Sequence, residues 1–179
     1  MSKKKTMSVR RLVTAGVIGG LYAALTLLLT PLSFAGLQCR LSEALTVLAA
    51  FTPAAIPGLI VGCLVSNLAG LTMGANPAGA LDLLLGPLAT GLAALWSYHL
   101  RNRKWGGVPL LSTLPPVILN ALIVGAELAL VAPEFSVPVL FIQMGSVGLG
   151  ELLACVVGGG ILAVALCRTG VAQNCLRTE

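Results

Sequence analysis

The stretch LPPVILNALIVGAELALVA, residues 114–132, decides the fold class. It is long and apolar enough to cross a bilayer, for which about 20 residues suffice, yet it contains Asn120 and Glu127. A charged side chain near the bilayer centre costs at least ~2.5–3.5 kcal/mol on insertion scales, so it usually faces protein or a water-filled cavity. Asn120 and Glu127 are seven residues apart and share one helix face. The stretch therefore predicts a membrane helix with a polar inner face.

The whole chain has the composition of an integral membrane protein. Of its 179 residues, 57% are hydrophobic and only 9% are charged, whereas soluble domains carry about 25% charged residues. The formal net charge is +5, but most of the basic residues flank apolar stretches, which is typical of cytoplasmic loops. We therefore expect one membrane domain, residues 1–179, whose partners include the lipid bilayer and no nucleic acid.

Six apolar segments predict an all-α bundle of six transmembrane helices. They are residues 12–30, 41–51, 54–72, 80–100, 114–132 and a span within 138–167. The second is too short to cross fully and is predicted to be a short or broken helix, which is tolerated where it is packed in protein.

Basic residues predict the orientation of the bundle. Residues 1–10 carry basic side chains, the bundle covers residues 11–168, and residues 169–179 form a tail. Basic residues near the start, at 101–104 and at Arg168 predict that both termini are cytoplasmic. The expected location is the bacterial cytoplasmic membrane.

With this orientation, the ionisable residues of the spans fall on or towards the outer side. Glu127 and Glu151 have the fewest explanations other than solute binding. Arg40 and Glu43 are three residues apart, so they could also form an ion pair at a helix start, and Asp82 could cap a helix. Asn120 could join two helices. The pattern favours a solute-binding cup that opens to one side.

The first helix carries small residues in two registers of four-residue steps. One is Ala15, Gly19 and Ala23; the other is Gly16, Gly20 and Ala24. Small residues at this spacing allow another helix to approach closely. Two interpretations stay open, which are packing inside the bundle and docking of a partner protein.

Enzymatic motifs are missing from the sequence. It contains no GxxxxGK[ST], no HExxH and no GxSxG, and its only histidine is His99. The chain is therefore not expected to be an ATPase or another enzyme, and no metal or cofactor is predicted.

Four blocks of the sequence resemble the queuosine-precursor transporter (QueT) family. They are LQCRLSEALTVLAAFTPAAIPGLIVGCLVSNL, ALDLLLGPLATGLAAL, LPPVILNALIVGAEL and VGLGELL, and the likeness runs from about residue 10 to residue 166. The run from Gln38 to Leu45 is the most specific part. Cys39 departs from the family pattern, where a larger aromatic or apolar residue is expected.

The resemblance implies an S component of an energy-coupling-factor (ECF) transporter. Such a subunit captures a 7-deazaguanine queuosine precursor from outside, in its cyano, aminomethyl or queuine form. It docks on a transmembrane T subunit that carries two cytoplasmic ATPases, through small residues of the first helix that match Ala15, Gly19 and Ala23.

The chemistry of a deazaguanine agrees with this implication. One carboxylate can accept its ring N–H and its exocyclic amine, its carbonyl oxygen needs a donor such as Arg40, Gln38 or Asn67, and Phe34 is one candidate for stacking. The expected substrate-binding residues are Gln38, Arg40, Glu43, Asn67, Asp82, Asn120, Glu127 and Glu151. Three alternatives stay open: an S component for another vitamin-like solute, an autonomous proton- or cation-coupled carrier, and a membrane enzyme or assembly protein.

Overall fold

The structure, a computed structural model, describes residues 8–34 and 39–170. Within these ranges the chain is helical, and the only β-type pairing is an isolated bridge between Trp105 and Val108. The α-helices are α1 (Val9–Leu28), α2 (Thr30–Ser33), α3 (Ala55–Thr72), α4 (Asp82–His99), α5 (Leu114–Val131), α6 (Val137–Glu151) and α7 (Gly159–Thr169). A 3-10 helix, Leu41–Ala50, precedes α3, and a π-helical segment, Leu152–Gly158, joins α6 to α7.

Five helical stretches of the described residues are long and apolar enough to cross a membrane. They are Val9–Leu28, Ala55–Thr72, Gly79–Asn102, Leu110–Val131 and Val137–Thr169. Each matches a predicted segment. The predicted second segment is the 3-10 helix, whose ten residues rise only about 20 Å at ~2 Å per residue, less than the ~30 Å hydrocarbon core. Its shortness is confirmed, whereas a count of six crossings stays a prediction.

The bundle is apolar outside and charged inside, the reverse of a soluble protein. Large side chains such as Leu28, Leu84 and Ile161 are at least 66% exposed. Five ionisable residues lie inside the bundle, by contrast, and each is at most 4% exposed: Arg40, Glu43, Asp82, Glu127 and Glu151. Exposed apolar surface of this extent requires a lipid environment, because soluble proteins rarely expose large contiguous apolar patches.

The 3-10 helix lies at the centre of the bundle. It contacts α1, α3, α4, α7 and the π-helical segment, and residues 42–49 are all buried. Because it begins directly after Arg40 and contains Glu43, its position brings both side chains into the protein interior.

Helices α1 and α3 pack backbone against backbone. A Cβ atom on Gly58 would lie 2.5 Å from the carbonyl oxygen of Ala15, and one on Gly19 would lie 2.7 Å from that of Gly58. A Cβ atom on Gly62 would likewise meet the Gly19 carbonyl at 2.6 Å. Only glycine allows this approach, so Ala15 and Gly19 serve the internal packing that the sequence left open.

The π-helical segment was not predicted by the sequence. It follows Glu151 directly and packs against the 3-10 helix, where a Cβ atom on Gly158 would lie 3.4 Å from Cβ of Ala44. Wide helical turns of this kind are frequent at functional sites. Here the widened turn lies next to a buried carboxylate.

Candidate functional site

Arg40 and Asp82 form a buried ion pair, with 3.3 Å between Nη2 and Oδ2. Their side chains are 5% and 2% exposed. The sequence left pairing of Arg40 with Glu43 as an option, and capping of a helix by Asp82 as another. The first does not occur, because Arg40 reaches past Glu43 to α4. Asp82 does lie in the first turn of α4, where a carboxylate is favourable, but it makes no capping hydrogen bond with its side chain.

Two asparagines hold Asp82 in place. Asn76 donates from Nδ2 to the Asp82 carboxylate at 2.8 Å, and Asn67 donates from Nδ2 to the Asp82 backbone oxygen at 2.8 Å. Gly86 leaves room for this arrangement, since a Cβ atom there would clash with Asp82 Oδ1 and Asn67 Nδ2. The predicted site residue Asn67 is thus in direct contact with Asp82.

The guanidinium group of Arg40 is held on two further sides. Its Cζ lies 5.3 Å from the centre of the Phe34 ring, in a cation–π arrangement. Its Nη1 lies 3.7 Å from the sulfur of Cys63. Phe34, a predicted stacking residue, therefore contacts Arg40 in the described structure.

Glu43 is saturated by hydroxyl donors. Tyr22 and Thr90 donate to Oε1 at 2.5 and 2.6 Å, and Thr46 donates to Oε2 at 2.9 Å. Hydrogen bonds from donors to an ionised carboxylate are among the stronger ones in proteins. Because its partners come from α1, α4 and the 3-10 helix itself, Glu43 joins three elements at the centre of the bundle.

Glu151 lies in the same region and is partly satisfied. Cys155 donates from Sγ to Oε2 at 3.2 Å, and the side chain of Asn120 interacts with the Glu151 carboxyl group. Glu151 also lies near Cys39: burial raises the pKa of the Cys39 thiol, and the negative charge of Glu151 raises it further. The two helix faces predicted to be polar, on α5 and α6, therefore meet at Asn120 and Glu151.

Glu127 is the exception in this cluster. It is 1% exposed, yet neither carboxylate oxygen has a hydrogen-bond partner among the described residues. It interacts electrostatically with Asp82 and Arg40. Burying a polar group without a hydrogen-bond partner is unfavourable, so Glu127 is the acid of this cluster with unused hydrogen-bonding capacity.

Seven of the eight predicted site residues are therefore buried and connected by contacts or electrostatic interactions: Arg40, Glu43, Asn67, Asp82, Asn120, Glu127 and Glu151. Gln38 lies outside the described residues.

Sequence reasoning missed several polar side chains that support the site. Tyr22 and Thr90 hold Glu43, and Asn76 holds Asp82. Single hydroxyl groups in apolar helices carry little signal, and Asn76 stands in a loop where Asn is common. Tyr22 could have been noticed, because a tyrosine in mid-span needs a partner for its hydroxyl group.

A second feature lies on the outer surface of α1 and α3. An apolar groove of about 300 Å³, the α1–α3 groove, is lined by Leu12, Ala15, Gly16, Gly19, Gly20, Ala23, Pro57, Gly58, Val61, Gly62 and Val65. Gly16 and Gly20 are exposed and a Cβ atom on either would meet nothing within 4 Å. The groove thus contains the whole first register, Ala15, Gly19 and Ala23, and the two glycines of the second, which are open.

Membrane-length helices around a buried ionisable cluster define a multi-pass membrane protein with a polar interior of the kind found in transport proteins. The family model described as QueT transporter matches residues 12–168. The chain therefore belongs to the QueT transporter family, as the four sequence blocks indicated, and has a transport role. No curated protein and no solved structure was found to match it.

Proposed function

We propose that the protein is the solute-binding S component of an ECF-type importer that captures a 7-deazaguanine queuosine precursor from outside. The observation that carries this proposal is Glu127, a fully buried carboxyl group whose two oxygens have no partner and which interacts electrostatically with Arg40 and Asp82. Membership of the QueT transporter family supports the choice of solute.

The roles of the residues follow from their hydrogen-bond partners. Glu43 is already saturated, so it positions the 3-10 helix rather than the solute. Glu151 and Asn120 together offer an acceptor and an amide, which suits the edge of a deazaguanine, where an N–H and an amine stand beside a carbonyl group. Arg40 presents the one buried cation of the cluster, held in place by Asp82 and Phe34, and is a second donor for the carbonyl oxygen.

Binding is tested by calorimetry on the purified protein in detergent. The titrants are the aminomethyl, cyano and queuine bases, with guanine and riboflavin as controls. Tight binding of a deazaguanine that is lost in Glu151→Gln but kept in Glu134→Gln supports the proposal, because Glu134 is an exposed acid outside the cluster. Absence of binding by a folded sample would overturn the choice of solute.

The partners of this S component are a transmembrane T subunit and two cytoplasmic ATPases. The α1–α3 groove supports a docking role for Ala15, Gly19 and Ala23, together with the open positions Gly16 and Gly20. Gly20→Phe fills the groove from an exposed position. It should abolish co-purification with the T subunit and leave solute affinity unchanged, whereas Leu84→Phe, on the exposed surface of α4, should affect neither. Unchanged assembly of Gly20→Phe would remove the groove from the proposal.

An autonomous cation-coupled carrier is the second candidate, and the unpartnered Glu127 favours it because a coupling proton or cation would also satisfy this carboxylate. The two functions differ in what drives uptake. Proteoliposomes that contain this chain alone should not accumulate solute under a proton or sodium gradient. Accumulation should require the T subunit, both ATPases and ATP. Gradient-driven uptake by the chain alone would establish the carrier instead.

A further inference from the structure

The candidate site has a surplus of hydrogen-bond acceptors. Among the described residues, the buried polar oxygens without a partner include both carboxylate oxygens of Glu127, Asp82 Oδ1 and Asn67 Oδ1. Glu127 and Asp82 interact electrostatically, and Asn67 contacts Asp82. None of these four atoms can donate when the carboxylates are ionised, and each is costly to bury unpaired.

The same site has more acidic groups than basic ones. Four buried carboxylates, those of Glu43, Asp82, Glu127 and Glu151, share one buried guanidinium group, that of Arg40. Arg40 pairs with Asp82, and the hydroxyl groups around Glu43 bring no charge. A ligand with a positive charge would reduce the cost of these buried anions, and a neutral ligand would not.

We propose that this site selects solutes that carry a positively charged nitrogen, and that Glu127, Asp82 and Asn67 receive that nitrogen. The inference rests on the proposed function and refines it: the aminomethyl base, which carries an ammonium group, is the preferred solute over the cyano base. An ammonium group brings three donors and no acceptor, which complements four acceptor oxygens. A nitrile brings an acceptor and no donor, so it would meet these oxygens unfavourably.

The wild-type protein gives the first test. Affinities are measured for three bases that differ only at the substituent: aminomethyl, hydroxymethyl and cyano. The hydroxymethyl base has a similar size and one donor but no charge, so it separates charge from hydrogen bonding. The aminomethyl base should bind at least about tenfold more tightly than the hydroxymethyl base, a difference of ~1.4 kcal/mol, and the cyano base should bind most weakly.

Variants assign the preference to its residues. Glu127→Gln should bring the aminomethyl and hydroxymethyl affinities close together, because the amide carries no charge, while Glu134→Gln should keep the wild-type ratio. The ratio of two affinities measured on one sample is insensitive to the fraction of the protein that is folded. The wild-type comparison also stands if a variant fails to fold.

The outcomes separate this inference from the proposed function. Equal or tighter binding of the hydroxymethyl or cyano base would overturn the charge preference and leave a deazaguanine-binding subunit. A retained preference in Glu127→Gln would overturn the assignment to Glu127. Absence of binding by all three bases would instead overturn the proposed function.

Discussion

Arg40 and Asp82 stand 42 positions apart in the chain and pair inside the bundle, with 3.3 Å between their charged atoms. The pair links the entry of the 3-10 helix to the first turn of α4. Asn67, Asn76 and Phe34 hold it from α3, from the loop before α4 and from the segment after α2. The site is therefore built by one long-range contact that several elements support.

Removal of one partner of this pair should destabilise the protein strongly. Arg40→Leu leaves the buried Asp82 carboxylate without its cation, and breaking a buried pair in this way typically costs about 3–5 kcal/mol. The apparent melting temperature in detergent should fall by roughly 2–4 °C for each kcal/mol in a protein of this size.

The double variant Arg40→Leu/Asp82→Leu is the control for this prediction. Replacement of both charges removes the uncompensated carboxylate, so it should recover much of the lost stability. Neither the single nor the double variant should bind solute, because both lack the proposed Arg40 donor. A single variant as stable as the wild type would show that Asp82 does not depend on Arg40.

Tyr22 should contribute to stability and not to solute affinity. Tyr22→Phe removes one of three donors to the buried Glu43 carboxylate, and hydrogen bonds to charged groups contribute about 1.5–3 kcal/mol. Tyr98→Phe is the matched control. Tyr98 is half-buried near the C-terminal end of α4, and its replacement should change little. Thermal unfolding and calorimetry on the same samples check both statements. Loss of solute affinity in a folded Tyr22→Phe variant would show that Glu43 takes part in solute binding.

Glu127 should show the opposite behaviour, because it has no partner to lose. Glu127→Met removes a buried carboxylate whose oxygens accept no hydrogen bond, and relief of an unsatisfied buried group is worth about 1–3 kcal/mol. The variant should melt at a higher temperature than the wild type without solute, and it should bind solute poorly. The exposed Glu134→Met should change neither property. A lower melting temperature for Glu127→Met would mean that the carboxylate has a structural partner.

The contact between α1 and α3 predicts a sharp contrast between neighbouring glycines. Gly58→Ala places a methyl group 2.5 Å from the Ala15 carbonyl oxygen, and overpacking of this kind typically costs about 1–3 kcal/mol. Gly20→Ala meets nothing within 4 Å and should leave the melting temperature unchanged. Equal effects of the two substitutions would contradict the observed packing of these helices.

Much of the interior could be predicted from the sequence, because a charged residue in an apolar span usually faces protein or a water-filled cavity. Burial of Arg40, Asp82, Glu127 and Glu151 follows from that argument, as does their common neighbourhood. Their pairing does not follow, since Arg40 has a carboxylate three residues away in Glu43 and another 42 residues away in Asp82. The structure favours the distant one, because hydroxyl groups from two other elements already occupy Glu43.

The types of helix could not be predicted from the sequence either. The length of residues 41–51 predicts a short helix. It does not predict the 3-10 geometry or the π-helical turn after Glu151, because both depend on how these two segments pack against each other. Glycines 158 and 159 indicate close packing and do not reveal the partner, which is Ala44 in the 3-10 helix.

The 3-10 helix also carries the last prediction, which concerns the orientation of the chain. Two membrane-length stretches follow the loop that contains Gly106 and Gly107. If both cross the membrane, that loop and the end of α7 lie on the same side. Three such stretches precede the loop. The N-terminal end therefore shares its side only if the Leu41–Ala50 region completes a fourth crossing, and the basic residues at both places predict that it does.

An epitope tag at the N-terminus and another inserted between Gly106 and Gly107 test this count. Both glycines have a positive φ in an exposed turn, so the insertion disturbs little. Neither tag should be reached by antibody in intact spheroplasts, and both should be reached after permeabilisation. The same tag next to Gly74, in the loop between α3 and α4 that six crossings with cytoplasmic termini place outside, should be reached in both conditions. If the first two tags lie on opposite sides, the 3-10 helix does not complete a crossing. The protein would then have five spans, and the proposed orientation of the binding site would be wrong.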